Sequence, residues 1–323
     1  MHTSILGYVQ GGAEGAMTVG SSVHLAREAS FRKSLDRRLE EFRYYLHLFR
    51  KSPLGLLGLG IVIGFLVIAV IAPLLAPANP VDPYIIPKTF VTDPQPPGGQ
   101  YVFGTGPFGT DIYYGVVWGT RISLRISITL VGISFILGIV IGGVSGYLGG
   151  PVESILMRLT DLFMSLPGLV LAMAVAAVLG RSIENLVLAL ALVWWPSYAR
   201  IMRGETLRVK NENFVEAARA LGVSPRNIVF RHVVPNAIGP LLVVATMDLG
   251  TTVLVASALS FIGLGAQPGT AEWGLMISDG RNWILDGRWW TVTFPGLAIF
   301  LFVLGWNLLG DSIRDLLDPK LRR

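Results

Sequence analysis

The feature that most constrains this chain is a run of apolar residues at 54–76 that no charged side chain interrupts. A helix of about 20 apolar residues crosses the roughly 30 Å hydrocarbon core of a bilayer. Five later stretches have a similar composition, at residues 122–147, 155–179, 183–201, 237–262 and 292–309. The sequence therefore predicts an all-α polytopic membrane protein with six transmembrane helices.

The composition agrees with a membrane protein and excludes several kinds of chemistry. Of the 323 residues, 52% are hydrophobic and 15% are charged, whereas globular chains average about 25% charged residues. The chain has no cysteine, which excludes disulfides, thiolate metal sites and thiol catalysis. Its four histidines, His2, His24, His47 and His232, are too scattered for a His-rich metal site. We expect no catalytic residue, no metal site and no cofactor site in this chain.

The basic residues predict the orientation. Residues 1–53 hold eight lysines and arginines, residues 200–236 hold seven and residues 312–323 hold four, whereas the alternate loops hold only Lys88, Arg181, Arg281 and Arg288. Because positive loops stay in the cytoplasm, both termini and residues 200–236 are expected there. The net charge of +5 then reflects orientation and contact with anionic membrane lipid, and nucleic acid is not an expected partner.

The remaining segments complete the predicted domain organisation. Residues 1–30 are expected to be disordered, and residues 312–323 form a cytoplasmic tail. Apolar residues in 31–53 recur at helical spacing and predict an amphipathic helix, lying either on the inner membrane surface or on the protein's own loops. Residues 77–120 contain eight prolines and predict an irregular extracytoplasmic loop. Residues 121–311 form the five-helix core, with a long inner loop at 200–236.

A second outer loop, at residues 263–290, carries four tryptophans. They are Trp273, Trp283, Trp289 and Trp290. Tryptophan is enriched at membrane interfaces, so we expect these side chains to anchor the loop there, with substrate contact as the alternative.

Asp248, Arg158 and Asp161 are among the charged residues that fall within predicted spans. Asp248 lies near the middle of the fifth span, where a carboxylate costs a few kcal/mol unless its surroundings are polar. It is a candidate residue of a translocation pathway, or else it forms a structural hydrogen bond to a neighbouring helix or to unwound backbone near Gly250. Arg158 and Asp161 are three residues apart, which favours a local ion pair. Prolines at 167, 196 and 295 predict kinks in their spans.

The inner loop after the fourth span predicts a short helix, a break and a second helix. Alanine and arginine favour the first helix, and Gly222 is a suitable C-terminal stop with positive φ. Ser224 and Pro225 are a suitable cap and first residue for the second helix. Small side chains at Ala217, Ala218 and Ala220 would let a partner approach closely. An ordinary amphipathic connector is the alternative interpretation.

This loop resembles the EAA loop of ABC importer permeases: Glu216-Ala217-Ala218, three residues, Gly222, and a closing Pro235. The chain as a whole, over about residues 45–323, is similar to the peptide/opine/nickel family, and within it to the C-type subunit of dipeptide and oligopeptide permeases. Supporting stretches are Gly-Thr-Asp at 109–111, Gly-Thr-Arg-Ile-Ser-Leu at 119–124, Met-Arg-Leu-Thr-Asp at 157–161, Trp-Pro-Ser-Tyr-Ala-Arg at 195–200, Leu-Ser-Phe-Ile-Gly-Leu-Gly at 259–265 and Asn-Leu-Leu-Gly-Asp at 307–311.

The resemblance implies a type I ABC importer permease that carries short peptides and forms half of the translocation pathway. Its partners would be a second, related permease subunit, two cytoplasmic ATPase subunits that hold ATP and Mg, and an extracytoplasmic solute-binding protein. The coupling residues it implies are Glu216, Ala217, Ala218, Arg219, Gly222, Ser224, Pro225, Arg231 and Pro235. The same machinery in relatives carries oligosaccharides, nickel or opines, and these cargoes stay open.

The chain contains no Walker A pattern, so ATP hydrolysis would require a partner subunit. An ion-coupled secondary transporter is the main alternative from another class. Such proteins usually show internal repeats and several acidic or broken-helix ion sites near the midplane, whereas here Asp248 is the central acidic residue. A membrane-bound enzyme is the third class, and the sequence offers it no recognisable nucleophile, base or metal constellation.

Overall fold

The computed structural model describes residue 43, residues 47–90 and residues 93–317. The chain divides into two units, Met1–Ser52 and Pro53–Arg323. In the first unit, residues 47–50 are helical. The predictions for residues 1–30 and for most of 31–53 lie outside the described residues, as does nearly all of the predicted tail.

The second unit is helical along most of its length. In chain order its helices are α1 (Pro53–Leu75), α2 (Ile112–Leu148), α3 (Gly150–Ser165), α4 (Gly168–Leu179), α5 (Ile183–Lys210), α6 (Asn213–Ala220), α7 (Pro225–Ile228), α8 (Val234–Ala237), α9 (Gly239–Phe261), α10 (Trp273–Gly280) and α11 (Trp290–Leu317). Among the described residues, five of these (α1, α2, α5, α9 and α11) are long and apolar enough to cross a membrane, and the bent α3–α4 pair makes a sixth candidate if its two helices are counted as one span. The predicted fold class is confirmed.

The third predicted span differs from expectation. Residues 155–179 are not one kinked helix, because α3 and α4 meet at 87°. Pro167 has no N–H to continue a helical ladder and disfavours helical backbone at the residue before it. Leu166 is accordingly extended, with φ −91° and ψ 142°. By contrast, Pro196 and Pro295 lie inside continuous helices.

Glycines bring α2 and α5 into close contact. Gly138, Gly142 and Gly146 are four residues apart and share one face of α2. A Cβ atom at Gly142 would collide with the Ala199 carbonyl oxygen, and one at Gly138 would collide with the Cβ of Tyr198. Small-xxx-small spacing of this kind lets two membrane helices pack backbone against backbone. We call this contact the glycine seam.

An aromatic core joins α1, α10 and α11. The ring centroid of Phe65 lies 5.9 Å from that of Trp273 and 5.2 Å from that of Phe302. Trp273 is fully buried, and its indole N–H donates to the Val116 carbonyl of α2 at 3.2 Å. This core fixes the short helix α10 against the spanning helices.

The prediction that all four tryptophans anchor at the interface is wrong for two of them. Trp273 and Trp290 are buried within the protein, and the indole N–H of Trp290 donates to the Thr105 carbonyl at 3.1 Å. A backbone carbonyl replaces the water that an interfacial indole would bind. Trp289 is exposed, and the Arg288 guanidinium lies 4.7 Å from the ring centroid of Trp283.

The two ends of the helical bundle carry different segments. At one end, which we call the EAA end, Lys210 donates to the Tyr147 carbonyl at 2.6 Å, so that α2 and α5 finish together. At the opposite end, the outer-loop end, Ile85 pairs with Thr270 and Arg288 pairs with Asp93. The loop of residues 77–111 is therefore tied to the segment of residues 262–290.

Candidate functional site

The short helix α6 is closed by the predicted glycine stop. Gly222 has φ +76° and donates its N–H to the Arg219 carbonyl at 3.0 Å. The N–H of Val223 reaches back to the Ala218 carbonyl at 3.2 Å. Together these bonds form a Schellman motif, which satisfies carbonyls at the end of a helix. The prediction of positive φ at Gly222 is confirmed.

The segment after Gly222 forms the second helix. Ser224 is at the N-cap position and Pro225 is the first residue of α7, as expected, although the Ser224 side chain makes no capping hydrogen bond. A π-helical turn at Val229–Val233 joins α7 to α8. We call residues 213–237 the EAA segment.

One face of the EAA segment is fixed to the rest of the protein. Val215, Ile228 and Val233 are buried in a cluster with Met202 and Val209 of α5. Ala218 is also buried, so it faces the chain's own core and not the open side as expected. An ion pair between Arg208 and Glu205 at 2.9 Å lies at the end of α5. The EAA segment is therefore a packed structural unit.

The other face of the EAA segment is open. Leu221 is 83% exposed and Phe230 is 66% exposed. The remaining predicted coupling residues on this segment are exposed as well: Glu216, Ala217, Arg219, Gly222, Ser224, Pro225, Arg231 and Pro235. Sequence reasoning missed Leu221 and Phe230, although an apolar residue directly before a glycine stop is a usable signal for an apolar contact at a helix end.

Asp248 lies ten residues into α9 and is bound by two side chains of α5. Its Oδ2 atom accepts a hydrogen bond from the Tyr198 hydroxyl at 2.8 Å and from the Trp194 indole N–H at 3.1 Å. The predicted alternative of a hydrogen bond to a neighbouring helix is confirmed. The carboxylate is half-buried, so these two bonds hold its orientation without closing it off.

The predicted ion pair between Arg158 and Asp161 is wrong. Asp161 pairs with Arg200 of α5, at 2.5 Å. Two turns earlier on α3, Glu153 pairs with Arg203, whose Nε lies 2.7 Å from Oε1. Since α3 packs along α5, a long arginine from the facing helix reaches each carboxylate. Arg158 lines a cavity of about 250 Å³ between the two helices, together with Met157.

A fully buried carboxylate, that of Glu272, was not predicted from the sequence. Glu272 caps α10, where it accepts hydrogen bonds from the backbone N–H groups of Gly274 at 3.0 Å and Leu275 at 2.8 Å. The hydroxyl of Ser257 in α9 also lies 3.2 Å from this carboxylate. Burial raises the pKa of Glu272, while these donors act in the opposite direction. The residue links α10 to α9 at the outer-loop end.

A bundle of five to six candidate membrane crossings, with irregular loops at one end and an exposed two-helix segment at the other, has the architecture of a transport permease. Residues 138–323 match the model of the binding-protein-dependent transport system inner membrane component family. Residues 42–97 match the N-terminal transmembrane domain of oligopeptide transport permease C. The chain belongs to this family of ABC importer permeases and is a multi-pass inner-membrane protein.

Several curated proteins are similar over most of their length. The dipeptide transport system permease protein DppC of Alkalihalophilus pseudofirmus is 39% identical over 84% of this chain and 88% of its own. The probable D,D-dipeptide transport system permease protein DdpC of Escherichia coli is 42% identical over 83% of this chain and 88% of its own. The glutathione transport system permease protein GsiD of Escherichia coli is 39% identical over 85% of this chain and 89% of its own.

A solved structure shares the fold. An inward-facing form of the MetNI methionine ABC transporter aligns with a TM-score of 0.52 and 20% identity, over 64% of this chain and 97% of that one. At this identity the likeness concerns the fold, which is that of a type I ABC importer permease.

Proposed function

We propose that this chain forms half of the pathway of an ATP-driven importer of short peptides and couples to a separate ATPase through its EAA segment. The observation that carries the proposal is the two-sidedness of that segment. Its inner face is packed on α5, while Leu221 and Phe230 present apolar side chains to the outside. Exposed apolar side chains among polar residues mark a protein contact, and the exposed charged residues Glu216 and Arg219 lie close to Leu221 in sequence.

The EAA end faces the cytoplasm in this proposal. The basic residues of 200–236 lie at the EAA end, whereas Arg181, Arg281 and Arg288 lie at the outer-loop end. Positively charged loops remain in the cytoplasm during insertion. This orientation places the exposed patch where a cytoplasmic ATPase can reach it.

The assembly contains a second, related permease, two ATPase subunits that bind ATP and Mg, and an extracytoplasmic solute-binding protein. The family's description as binding-protein-dependent supports the last of these partners. A missing Walker A pattern supports a separate ATPase.

Short peptides are the cargo that the relatives favour. The names of the similar proteins refer to dipeptides, D,D-dipeptides, di- and tripeptides and glutathione. All of these solutes are small peptides with a free amino group and a carboxylate. Oligosaccharides, nickel and opines, which the sequence alone left open, do not occur among these names.

Affinity isolation of the tagged chain from its native membrane tests the coupling. Leu221→Asp places a charge in the exposed patch without disturbing the packed face, so we expect the ATPase subunits to be lost from the isolated complex. Leu285→Asp is a matched control, because Leu285 is 90% exposed at the outer-loop end. We expect the control to retain the ATPase. Retention by both variants, with normal uptake, would contradict coupling through this segment.

A further inference from the structure

The Asp248 carboxylate lies in the middle of a membrane helix, and none of the cations in the described part of the chain pairs with it. The ion pairs among the described residues are elsewhere, and its only hydrogen-bond partners there are the neutral groups of Trp194 and Tyr198. Arg200 and Arg203 follow Tyr198 on α5, and both are already paired with carboxylates of α3. Within the described residues, Asp248 is therefore oriented but not neutralised.

The arrangement leaves one side of the carboxylate free to bind a ligand. Both donors use the same oxygen, Oδ2, and no hydrogen bond within the described residues uses Oδ1. The surrounding stretch of α9, residues 244–249, is half-exposed throughout. Trp194, which orients the carboxylate, is itself half-exposed, so part of its indole ring is also accessible.

We propose that Asp248 and Trp194 form a binding site for the ammonium group of the peptide as it crosses the membrane. A carboxylate attracts an ammonium strongly where water is scarce, and the face of an indole adds a cation–π contact. Tyr198 is fully buried and acts as a positioning residue, since its hydroxyl holds Oδ2. The site rests on the proposed function for the identity of its ligand.

Charge-selective labelling tests whether the carboxylate faces an aqueous path. Ala245 lies three residues before Asp248, on the same side of α9, and is half-exposed. A cysteine introduced there, in this cysteine-free chain, is treated in the assembled complex with a cationic and an anionic methanethiosulfonate reagent. Relative to the ratio of the two rates for a free thiol in solution, we expect the cationic reagent to be favoured at residue 245 by about tenfold or more. Adding Asp248→Asn should remove this preference.

A control cysteine at Leu254 separates a local charge from a general effect. Leu254 is half-exposed on the same helix but lines a different groove, with Phe300 of α11. Asp248→Asn should leave its charge preference unchanged. An unreactive cysteine at 245, or a reagent preference there that Asp248→Asn does not alter, would overturn the proposal. Neutralisation by a lysine or arginine of the second permease would give that same negative result.

Uptake of dialanine then separates charge from shape. Asp248→Asn keeps the size and an acceptor for both donors, whereas Asp248→Glu keeps the charge but adds a methylene group. A binding site for ammonium predicts at least tenfold slower uptake for the Asn variant and largely retained uptake for the Glu variant. A purely structural hydrogen bond predicts the reverse order, which would overturn the proposal.

The labelling and transport experiments distinguish a failure of this site from a failure of the proposed function. The labelling measures the potential at residue 245 and requires neither ATP nor transport. A cation preference in a complex that does not hydrolyse ATP would contradict the proposed function and leave an anionic membrane site. ATP-driven uptake without a cation preference would contradict the site alone.

Discussion

At the scale of single residues, Arg121 satisfies a carbonyl group that Pro73 leaves free. Pro73 lies inside α1 and has no N–H to donate to the Ala69 carbonyl, four residues earlier. The Nε–H of Arg121, from α2, donates to that carbonyl, and its Nη2 atom lies 3.4 Å from the Val70 carbonyl. The guanidinium carbon also lies 5.0 Å from the ring centroid of Trp118. Arg121 thereby has a structural role in the contact between α1 and α2.

A double-mutant cycle tests this compensation. Arg121→Leu removes the hydrogen bond to the part-buried Ala69 carbonyl and should destabilise the protein by about 1 kcal/mol. Pro73→Ala restores the N–H donor within α1, so the same Arg121→Leu change should cost measurably less in that background. Thermal unfolding in detergent gives both values. Equal losses in the two backgrounds would contradict the pairing.

Gly222 offers a test of backbone conformation that is independent of packing. No atom lies within 4 Å of a Cβ built at this residue, so the cost of substitution comes from its positive φ. Asparagine tolerates that region, while a β-branched residue does not. We expect Gly222→Asn to keep ATPase stimulation and Gly222→Val to lose it, with both chains inserted normally. Equal ATPase stimulation in the two variants would show that the turn at Gly222 does not matter for coupling.

At the scale of helices, the glycine seam determines how closely α2 and α5 approach. Gly142→Ala would place a Cβ against a backbone oxygen that cannot move aside, so we expect a loss of about 1–3 kcal/mol in stability. Gly132→Ala, on the same helix, has no atom within 4 Å of the new Cβ and should be neutral or slightly stabilising. Unfolding of both variants in detergent measures the difference. Similar stabilities would mean that the seam is looser than described.

The helices also show what a single sequence can predict. The length of an apolar run predicted α1 to within one residue at each end, because membrane thickness fixes the length of a span. Contacts between side chains of different helices could not be predicted in the same way. Asp161 pairs with Arg200 of another helix, and Trp273 packs into a core that three helices build. The spacing of Gly138, Gly142 and Gly146 did carry a readable signal for close packing.

In the candidate site, too, local backbone conformation could be predicted from the sequence, whereas contacts between helices could not. Positive φ at Gly222 followed from the local rule for ending a helix. Which alanine of the EAA segment faces the core depends on how that segment docks on α5, and sequence reasoning therefore left Ala218 on the open face. The two donors to Asp248 come from α5, 50 and 54 residues away in sequence, which is beyond any local rule.

At the scale of the whole molecule, orientation in the membrane determines which end can meet the ATPase of the proposed assembly. Asn213 begins α6 at the EAA end, and Gln95 lies in the loop of residues 77–111. With cysteine at each position, we expect an impermeant thiol reagent to label residue 95 in intact cells and residue 213 only after the cells are opened. The opposite pattern would reverse the orientation and remove the EAA segment from the cytoplasm.

The central claim, ATP-driven import of peptides, is tested most directly by transport in proteoliposomes. The isolated complex is reconstituted, and labelled dialanine is supplied with the solute-binding protein on the outer-loop side. We predict uptake when ATP is present on the EAA side, and none when a proton or sodium gradient replaces ATP. Uptake driven by an ion gradient without ATP would contradict the account and favour a secondary transporter.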